Sequence, residues 1–187
     1  MLLWKGAEAL VYLKDGVVVK ERVKKGYRHP EIDRRLRRER NRKEARMMRR
    51  AAGGLRVPKL LETGEFEIKM EFVDGTPLRE LKKLPARKMG RTVSALHSLG
   101  IAHGDLTTSN MLLKDGEIVL IDFGLADWGR VEDFATDLKV LFEAAEAMQE
   151  FSREDFLDEY GKTPGSEKVL KRLERVYSRG RYLSRSR

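Results

Sequence analysis

The 187 residues suit one compact unit or two small lobes around a cleft, and a 41% apolar fraction suffices for a core. The absence of cysteine excludes disulfides, thiolate nucleophiles and thiolate metal sites, and no apolar run approaches the ~20 residues needed to cross a bilayer. A net charge of +9 is split: fifteen Lys/Arg against five Asp/Glu from Lys20 to Arg50, eight against one from Lys168 to Arg187, and fourteen against twenty-two over residues 51–167. Basic ends around an acidic middle suit an anionic partner such as nucleic acid, with a solvated helix face as the alternative for residues 31–50. The N-terminus lacks a basic region followed by a signal-like apolar segment, so a soluble, cytoplasmic protein without membrane attachment is expected.

Leu2–Trp4, Ala9–Leu13 and Val17–Lys20 read as three short strands, the last two joined by a Lys14–Asp15–Gly16 turn. Between the first two lies Gly6–Ala7–Glu8–Ala9, whose amides are candidate phosphate contacts. Its single glycine departs from G-x-G-x-x-G, and a plain hairpin turn is an equal reading. Lys20 ends the apolar run VVVK, where an ammonium can reach phosphates if an acid fixes it. Glu44, on a charged helix expected from about Ile32 to Ala51, is the first candidate acid and Glu39 the second. Leu36, Ala45 and Met48 mark the inward side of that helix. Gly26–Pro30, with Tyr27 and Arg28, reads as a specialised loop before it. Gly53–Gly54 ends the helix, and Val57–Leu61 and Glu67–Val73 are the next strands. Met70–Gly75 (MEFVDG) then leaves the sheet.

Pro77–Leu81 opens a short helix, and Ala86–Leu99 carries a helical stripe of Met89, Val93, Leu96 and Leu99. His97 on that helix reads as a packing or hydrogen-bonding residue. The run HGDLTTSN, His103–Asn110, followed by IVLIDFG, Ile118–Gly124, is the most informative feature of the chain. It places Asp and Asn on a polar loop and a second Asp at the end of an apolar strand, the arrangement of a protein-kinase-like phosphotransferase. Asp105 would hold an acceptor hydroxyl or water, while Asn110 and Asp122 would coordinate divalent ions on ATP phosphates. A hairpin of Met111–Leu113 and Glu117–Ile121 around Asp115–Gly116 brings those two ligands to one site across twelve residues. His103 would brace the loop. Glu71 and Phe72 become candidates for backbone contacts to adenine and Met70 for the back of its pocket, with strand-end packing as the alternative for Met70 and Phe72.

Asp137 is expected to cap a helix over Asp137–Met148 and to brace the catalytic loop. Phe151–Tyr160 and Glu167–Tyr177 read as the last helices, ahead of a polar RGRYLSRSR ending. No long activation segment or A-P-E-like end is present. The expected fold is α+β: a minimal bilobal protein-kinase-like fold with a small N-terminal sheet lobe (1–73), a reduced helical C-terminal lobe (74–178) and a basic tail (179–187).

The GAEA loop, VVKERVKKGYRHP at Val18–Pro30, the Arg-rich helix, MEFVDG, HGDLTTSN, IDFGL, Asp137 and the tail together resemble one family. It is the small atypical kinase/ATPase subunit of the KEOPS (EKC) tRNA threonylcarbamoyladenosine complex, in its archaeal single-domain form. The resemblance implies an ATP-dependent serine/threonine kinase and ATPase, with Mg2+ or Mn2+, supporting N6-threonylcarbamoyladenosine formation at tRNA position 37. It implies a Kae1/TsaD-type catalytic subunit on the C-lobe, a small Cgi-type regulatory subunit on the N-lobe, and tRNA within the complex. Lys24, Lys25, Arg28, Arg179, Arg181, Arg185 and Arg187 then become tRNA or partner contacts. Three other readings compete. RIO-type stand-alone protein kinases usually carry an added N-terminal helical domain. Aminoglycoside-type phosphotransferases need further C-terminal helices. A nonenzymatic kinase-fold scaffold has no need of an intact Lys20, Asp105, Asn110 and Asp122 set.

Overall fold

The computed structural model describes residues 1–6, 8–147 and 149–183, with side chains through Ser178. Five antiparallel strands form the N-terminal sheet: β1 (Leu2–Lys5), β2 (Ala9–Lys14), β3 (Val17–Arg22), β4 (Leu60–Thr63) and β5 (Glu67–Glu71), in the order β1-β2-β3-β5-β4. Between β3 and β4 in sequence runs α1 (Pro30–Ala51), packed against β4 and β5. The β2–β3 turn places Asp15 and Gly16 at φ 51° and 77°, the two left-handed residues of a type I′ hairpin, which is why Asp-Gly stands there.

Strong helix formers fill α1, with Pro30 in its first turn, Glu31 and Asp33 at the positive end of the dipole and Arg49 and Arg50 at the negative end. Its buried face carries Ala45, Met47, Met48 and Ala51 together with the polar Asp33, Asn41 and Glu44. Leu36 is only half-buried, so the inward stripe is shorter than the sequence suggests, and Met47 joins it. Asn41 is buried for a stated purpose: its amide donates to the Gly64 and Glu67 carbonyls at 2.8 and 3.0 Å, satisfying the β4–β5 turn. The strand expected at Val57–Leu61 begins only at Leu60. Pro58 has no N–H to give a ladder, and the Arg56 carbonyl instead accepts the Leu120 N–H at 3.0 Å, tying this segment to the other lobe.

The second half contains β6 (Thr76–Pro77), a 3₁₀ turn at Leu78–Glu80, α2 (Ala86–Ser98), β7 (Ile101–Ala102), β8 (Met111–Lys114), β9 (Glu117–Leu120), β10 (Asp127–Trp128), α3 (Val131–Glu146), α4 (Arg153–Tyr160) and α5 (Ser166–Leu183). Strands β6, β8 and β9 form a small sheet, and β7 pairs with β10. Helix α2 packs on α4 and α3 on α5. Their apolar faces meet around Met89, Val93, Leu96, Leu141, Phe142 and Phe156, and this cluster is continuous with Ile68, Met70 and Met48 of the sheet lobe. Phe142 and Phe156 meet edge to face at 5.1 Å, so truncating Phe142 to alanine is worth about 3–5 kcal/mol. Helix α3 starts six residues earlier than the sequence suggests, because the Asp133 carboxylate accepts the Arg130 N–H at 2.8 Å and closes the first turn there. Asp137 therefore is not a cap; it lies inside the helix. The backbone of α5 runs without a break across positions 178 and 179 to Leu183. Among the described residues, no helix is long and apolar enough to cross a membrane.

Candidate active site

Strand β3 alternates, so Lys20 and Arg22 project from the same face, and α1 covers that face. Both cations meet the one acid that α1 offers them. Lys20 Nζ lies 2.6 Å from Glu44 Oε1, and Arg22 Nη2 lies 2.6 Å from Glu44 Oε2. Glu44 is 1% exposed; Glu39, the second candidate acid, is exposed and pairs loosely with Arg35 at 3.9 Å. Lys20 also reaches across the lobes to Asp122 Oδ1 at 2.6 Å, joining residues 102 positions apart. Burial pushes the Lys20 ammonium down, but Glu44 and Asp122 outweigh it and hold it above the ordinary lysine value. Burial likewise pushes the Asp122 carboxyl up, and Lys20 and the Gly124 N–H more than reverse this.

Asp122 sits at φ 59°, a left-handed conformation that turns the chain sharply after β9. Its Oδ1 accepts the Gly124 N–H at 3.1 Å. Gly124 leaves room for this contact: a Cβ there would lie 3.0 Å from Asp122 Oδ1 and 3.1 Å from Lys20 Nζ, close enough to press on both side chains. Phe123, fully buried beside the His103 ring, anchors the turn.

The polar loop is held from below by Asp137. Its Oδ2 accepts the His103 N–H at 2.6 Å and its Oδ1 accepts the Gly104 N–H at 2.9 Å. His103 donates Nε2–H to the Ile121 carbonyl at 3.1 Å, bracing the loop against the residue before Asp122. Burial lowers the pKa of His103, so its ring is neutral and structural. His97 is stacked on Phe134 at 4.4 Å and bonded to the Tyr160 hydroxyl at 2.8 Å, a packing residue whose pKa burial also lowers. Above this base, Asn110 donates to the Asp105 carbonyl at 2.8 Å and to Asp105 Oδ2 at 2.9 Å. That pair fixes the Asp105 carboxylate and leaves the Asn110 amide oxygen as an acceptor.

Lys20, Glu44, Asp105, Asn110 and Asp122 all line one interlobe cleft of about 550 Å³. Its apolar walls are Leu3, Trp4, Val11, Val18, Met70 and Leu112, with Glu71 and Phe72 at the connection between lobes. The Glu71 N–H is already bonded to the Lys59 carbonyl at 2.9 Å, so connection N–H groups for a ligand begin at Phe72. Of the GAEA segment, the described residues Gly6, Glu8 and Ala9 are not brought to the cleft lining. Gly6 lies under the Trp4 indole, Ala9 is buried, and the Glu8 carboxylate pairs with Arg28 at 3.2 Å and with Arg40. Ala7 lies outside the described residues, as do the side chains of Arg179 and Arg181 and the whole of Arg185 and Arg187. Lys24 is exposed, whereas Lys25 and Arg28 are half-buried, with the Lys25 N–H donated to Asp33 Oδ1 at 3.2 Å. Sequence reasoning missed Arg22, which the i, i+2 spacing from Lys20 could have signalled, and it missed Trp4 as a cleft wall.

The cleft fits a magnesium nucleotide. Among the described residues, no group of three or more His, Asp or Glu side chains could hold a metal unaided. One carboxylate and one amide oxygen, with a lysine beside them, suit Mg2+ that takes its remaining ligands from phosphates and water.

The RIO domain family model matches residues 11–126, and a model of the phosphotransferase enzyme family matches residues 98–171. The Rio2 kinase of Chaetomium thermophilum, solved as an ADP/Mg2+-phosphoaspartate complex, superposes with a TM-score of 0.64 at 18% identity. The superposition covers 98% of this chain and 70% of that one, a likeness of fold. Fold and site thus define a RIO-type, protein-kinase-like chain. The KEOPS complex subunit Bud32 of Pyrococcus abyssi is 41% identical, over 99% of this chain and 97% of that protein. A Methanosarcina mazei protein described as a probable bifunctional tRNA threonylcarbamoyladenosine biosynthesis protein is 46% identical over 97% of this chain, which spans only 35% of that relative. The chain belongs to the Bud32 family of KEOPS-type tRNA-modification kinase subunits and matches its archaeal single-domain form.

Proposed function

We propose that this protein is an ATP-dependent serine/threonine kinase and ATPase serving KEOPS-dependent N6-threonylcarbamoyladenosine formation at tRNA position 37. The observation that carries the reading is the Lys20–Asp122 contact of 2.6 Å, which brings the phosphate-binding side of one lobe to the metal-binding side of the other. Bound Mg–ATP supplies the γ-phosphoryl group and the divalent charge that polarises it. Lys20, held by Glu44, orients phosphates; the Asp122 carboxylate and the Asn110 amide oxygen are the metal donors. Asp105, fixed by Asn110, accepts a hydrogen bond from a Ser/Thr hydroxyl in phosphorylation or from a water in hydrolysis, so that the attacking oxygen is aimed rather than strongly deprotonated. Met70 backs the adenine, and Phe72 supplies connection backbone to it. Gly6, Glu8 and Ala9 reach phosphate only if their loop moves over the cleft.

In the complex, the C-lobe (74–178) receives the Kae1/TsaD-type catalytic subunit, which performs the transfer itself. The N-lobe (1–73) receives the small Cgi-type subunit. Lys24, Lys25 and Arg28, with Arg179, Arg181, Arg185 and Arg187 of the tail, contact tRNA or partner, in a cytoplasmic setting. The absence of a long activation segment supports control by docking rather than by loop phosphorylation.

The test is Mg2+-dependent ATP turnover with and without the Kae1-type protein and tRNA, with Asp105→Ala as control. Phosphate release stimulated by partner and tRNA, and lost in the variant, supports the tRNA-modification ATPase. Turnover indifferent to both favours a stand-alone RIO-like kinase, turnover retained by folded Asp105→Ala sinks the site assignment, and no turnover favours a scaffold.

A further inference from the structure

The buried ion cluster contains one cation more than the phosphate-binding reading needs. Arg22 is 5% exposed, makes its ion pair with Glu44 Oε2 at 2.6 Å, and does not line the cleft. Its Nε is buried without a partner, so the guanidinium is incompletely compensated where it lies. Burying a guanidinium is costly, and a well-packed apolar side chain would hold strand to helix as well or better. The backbone at this position is already pinned without that side chain: the Arg22 N–H donates to the Phe66 carbonyl at 2.8 Å and the Arg22 carbonyl accepts from Arg37 at 3.4 Å. Stability therefore gives little reason for the charge.

Charge balance gives a better one. Lys20 faces two carboxylates, Glu44 and Asp122, each at 2.6 Å. With Arg22 present, the cluster holds two positive and two negative groups; without it, two carboxylates share one ammonium. A lysine in net negative surroundings is held fast, and the same surroundings repel an arriving phosphate. A carboxylate gripped by a different cation on each oxygen also has its plane fixed, so Oε1 stays presented to Lys20.

We infer that Arg22 is a positioning residue for phosphate binding: it neutralises and orients Glu44 so that Lys20 stays in place yet remains available to the nucleotide's phosphates. The inference rests on the nucleotide-site reading and makes a prediction that general damage to the fold does not. Arg22 acts through Lys20, which meets only phosphates, so adenosine, which has none, is indifferent to it.

The experiment is calorimetric titration of the full chain with Mg–ADP and, separately, with adenosine, for wild type, Arg22→Met, Arg22→Gln and Arg22→Lys, with circular dichroism as a check of folding. Leaving the Glu44 charge uncompensated beside Lys20 should weaken Mg–ADP roughly tenfold or more in the Met and Gln variants. Adenosine affinity should stay unchanged, and Arg22→Lys should recover most of the loss. Wild-type Mg–ADP affinity in either folded neutral variant overturns the inference, as does an equal loss of adenosine. Should Arg22→Met fail to fold, Arg22→Gln decides; if neither neutral variant folds, the role is structural and the inference is wrong. A wild-type chain that binds neither ligand overturns the nucleotide site itself, a result distinct from all of these.

Discussion

Two hairpins, one per lobe, are built on the same three residues. Lys14–Asp15–Gly16 joins β2 to β3, and Lys114–Asp115–Gly116 joins β8 to β9. The turns share nearly the same φ angles, 51° and 77° in the first and 51° and 75° in the second. Their surroundings differ. In β8–β9 Met111, Leu112, Ile118, Val119 and Leu120 are all buried, so the polar groups Asn110 and Asp122 are displaced to the strand ends. In β2–β3 most side chains are half-exposed, and the buried positions of β3 are Val19 and the cations Lys20 and Arg22. The apolar hairpin thus carries its chemistry on its rim, and the amphipathic one carries it within a strand, under the cover of α1. The same turn chemistry specifies each hairpin; packing decides where along it a charge can stand.

Cutting the contact between the two hairpins should have the largest effect. Lys20→Met and Asp122→Ala are each expected to lower ATP turnover roughly a hundredfold to a thousandfold, by analogy with loss of one preorganised charge in a buried site. Single-turnover phosphate release measures it, and equal losses in the two variants and in the double variant identify one shared device. The next effect concerns the base of the second hairpin's loop. Asp137→Ala strips the partner from two backbone N–H groups at His103 and Gly104. A loss of about 2–4 kcal/mol is expected in urea unfolding, together with impaired turnover. Without the turnover defect, Asp137 serves the fold alone.

The contrast also explains what was legible beforehand. HGDLTTSN and IDFG could be read because a rim site advertises itself: polar residues interrupt apolar strands at positions the strand period cannot absorb. Lys20 was legible for the same reason, as a charge ending an apolar run. Arg22 was not, since on an amphipathic strand a second cation reads as surface until the covering helix is known. The GAEA segment read equally as a phosphate loop or a plain hairpin turn, and nothing in the sequence signalled that Glu8 pairs with Arg28 and Arg40, cations from a loop and a helix distant in sequence. Asp137 was recognised as a brace but misplaced as a cap, because Asp133 four residues earlier closes the helix in its stead. Element identity followed from periodicity and turn chemistry, and the Lys20–Glu44 pair from an ammonium that needs an acid; the partners of Arg22 and Glu8 did not.

A smaller effect is expected from acid. Burial lowers the pKa of His97, so the folded state resists its protonation while the unfolded chain does not. The unfolded state then binds more protons below about pH 6.5, and stability is expected to fall as pH drops through that value toward the lower folded pKa. His97→Gln should reduce the slope of thermal midpoint against pH in that window, leaving the share that the likewise lowered His103 contributes. An unchanged slope would assign the acid sensitivity elsewhere.

The smallest effects test the hairpins directly. Gly16→Ala and Gly116→Ala each force a side chain into the left-handed region, at an expected cost of about 1 kcal/mol apiece. No atom lies within 4 Å of a Cβ built at Gly16, and at Gly116 the nearest is the Lys88 ammonium at 3.5 Å. Space therefore does not distinguish the two; conformation sets both costs. Lys88 does donate to the Gly116 carbonyl, which ties the second turn to α2, while Gly16 has no such tether among the described residues. If the turns are equivalent units, the two losses in a urea titration should agree within about 0.5 kcal/mol and add in the double variant. A markedly larger loss at Gly116 would show that the tether to α2 makes the second turn a part of its lobe's packing. The likeness of the hairpins would then end at their backbone angles.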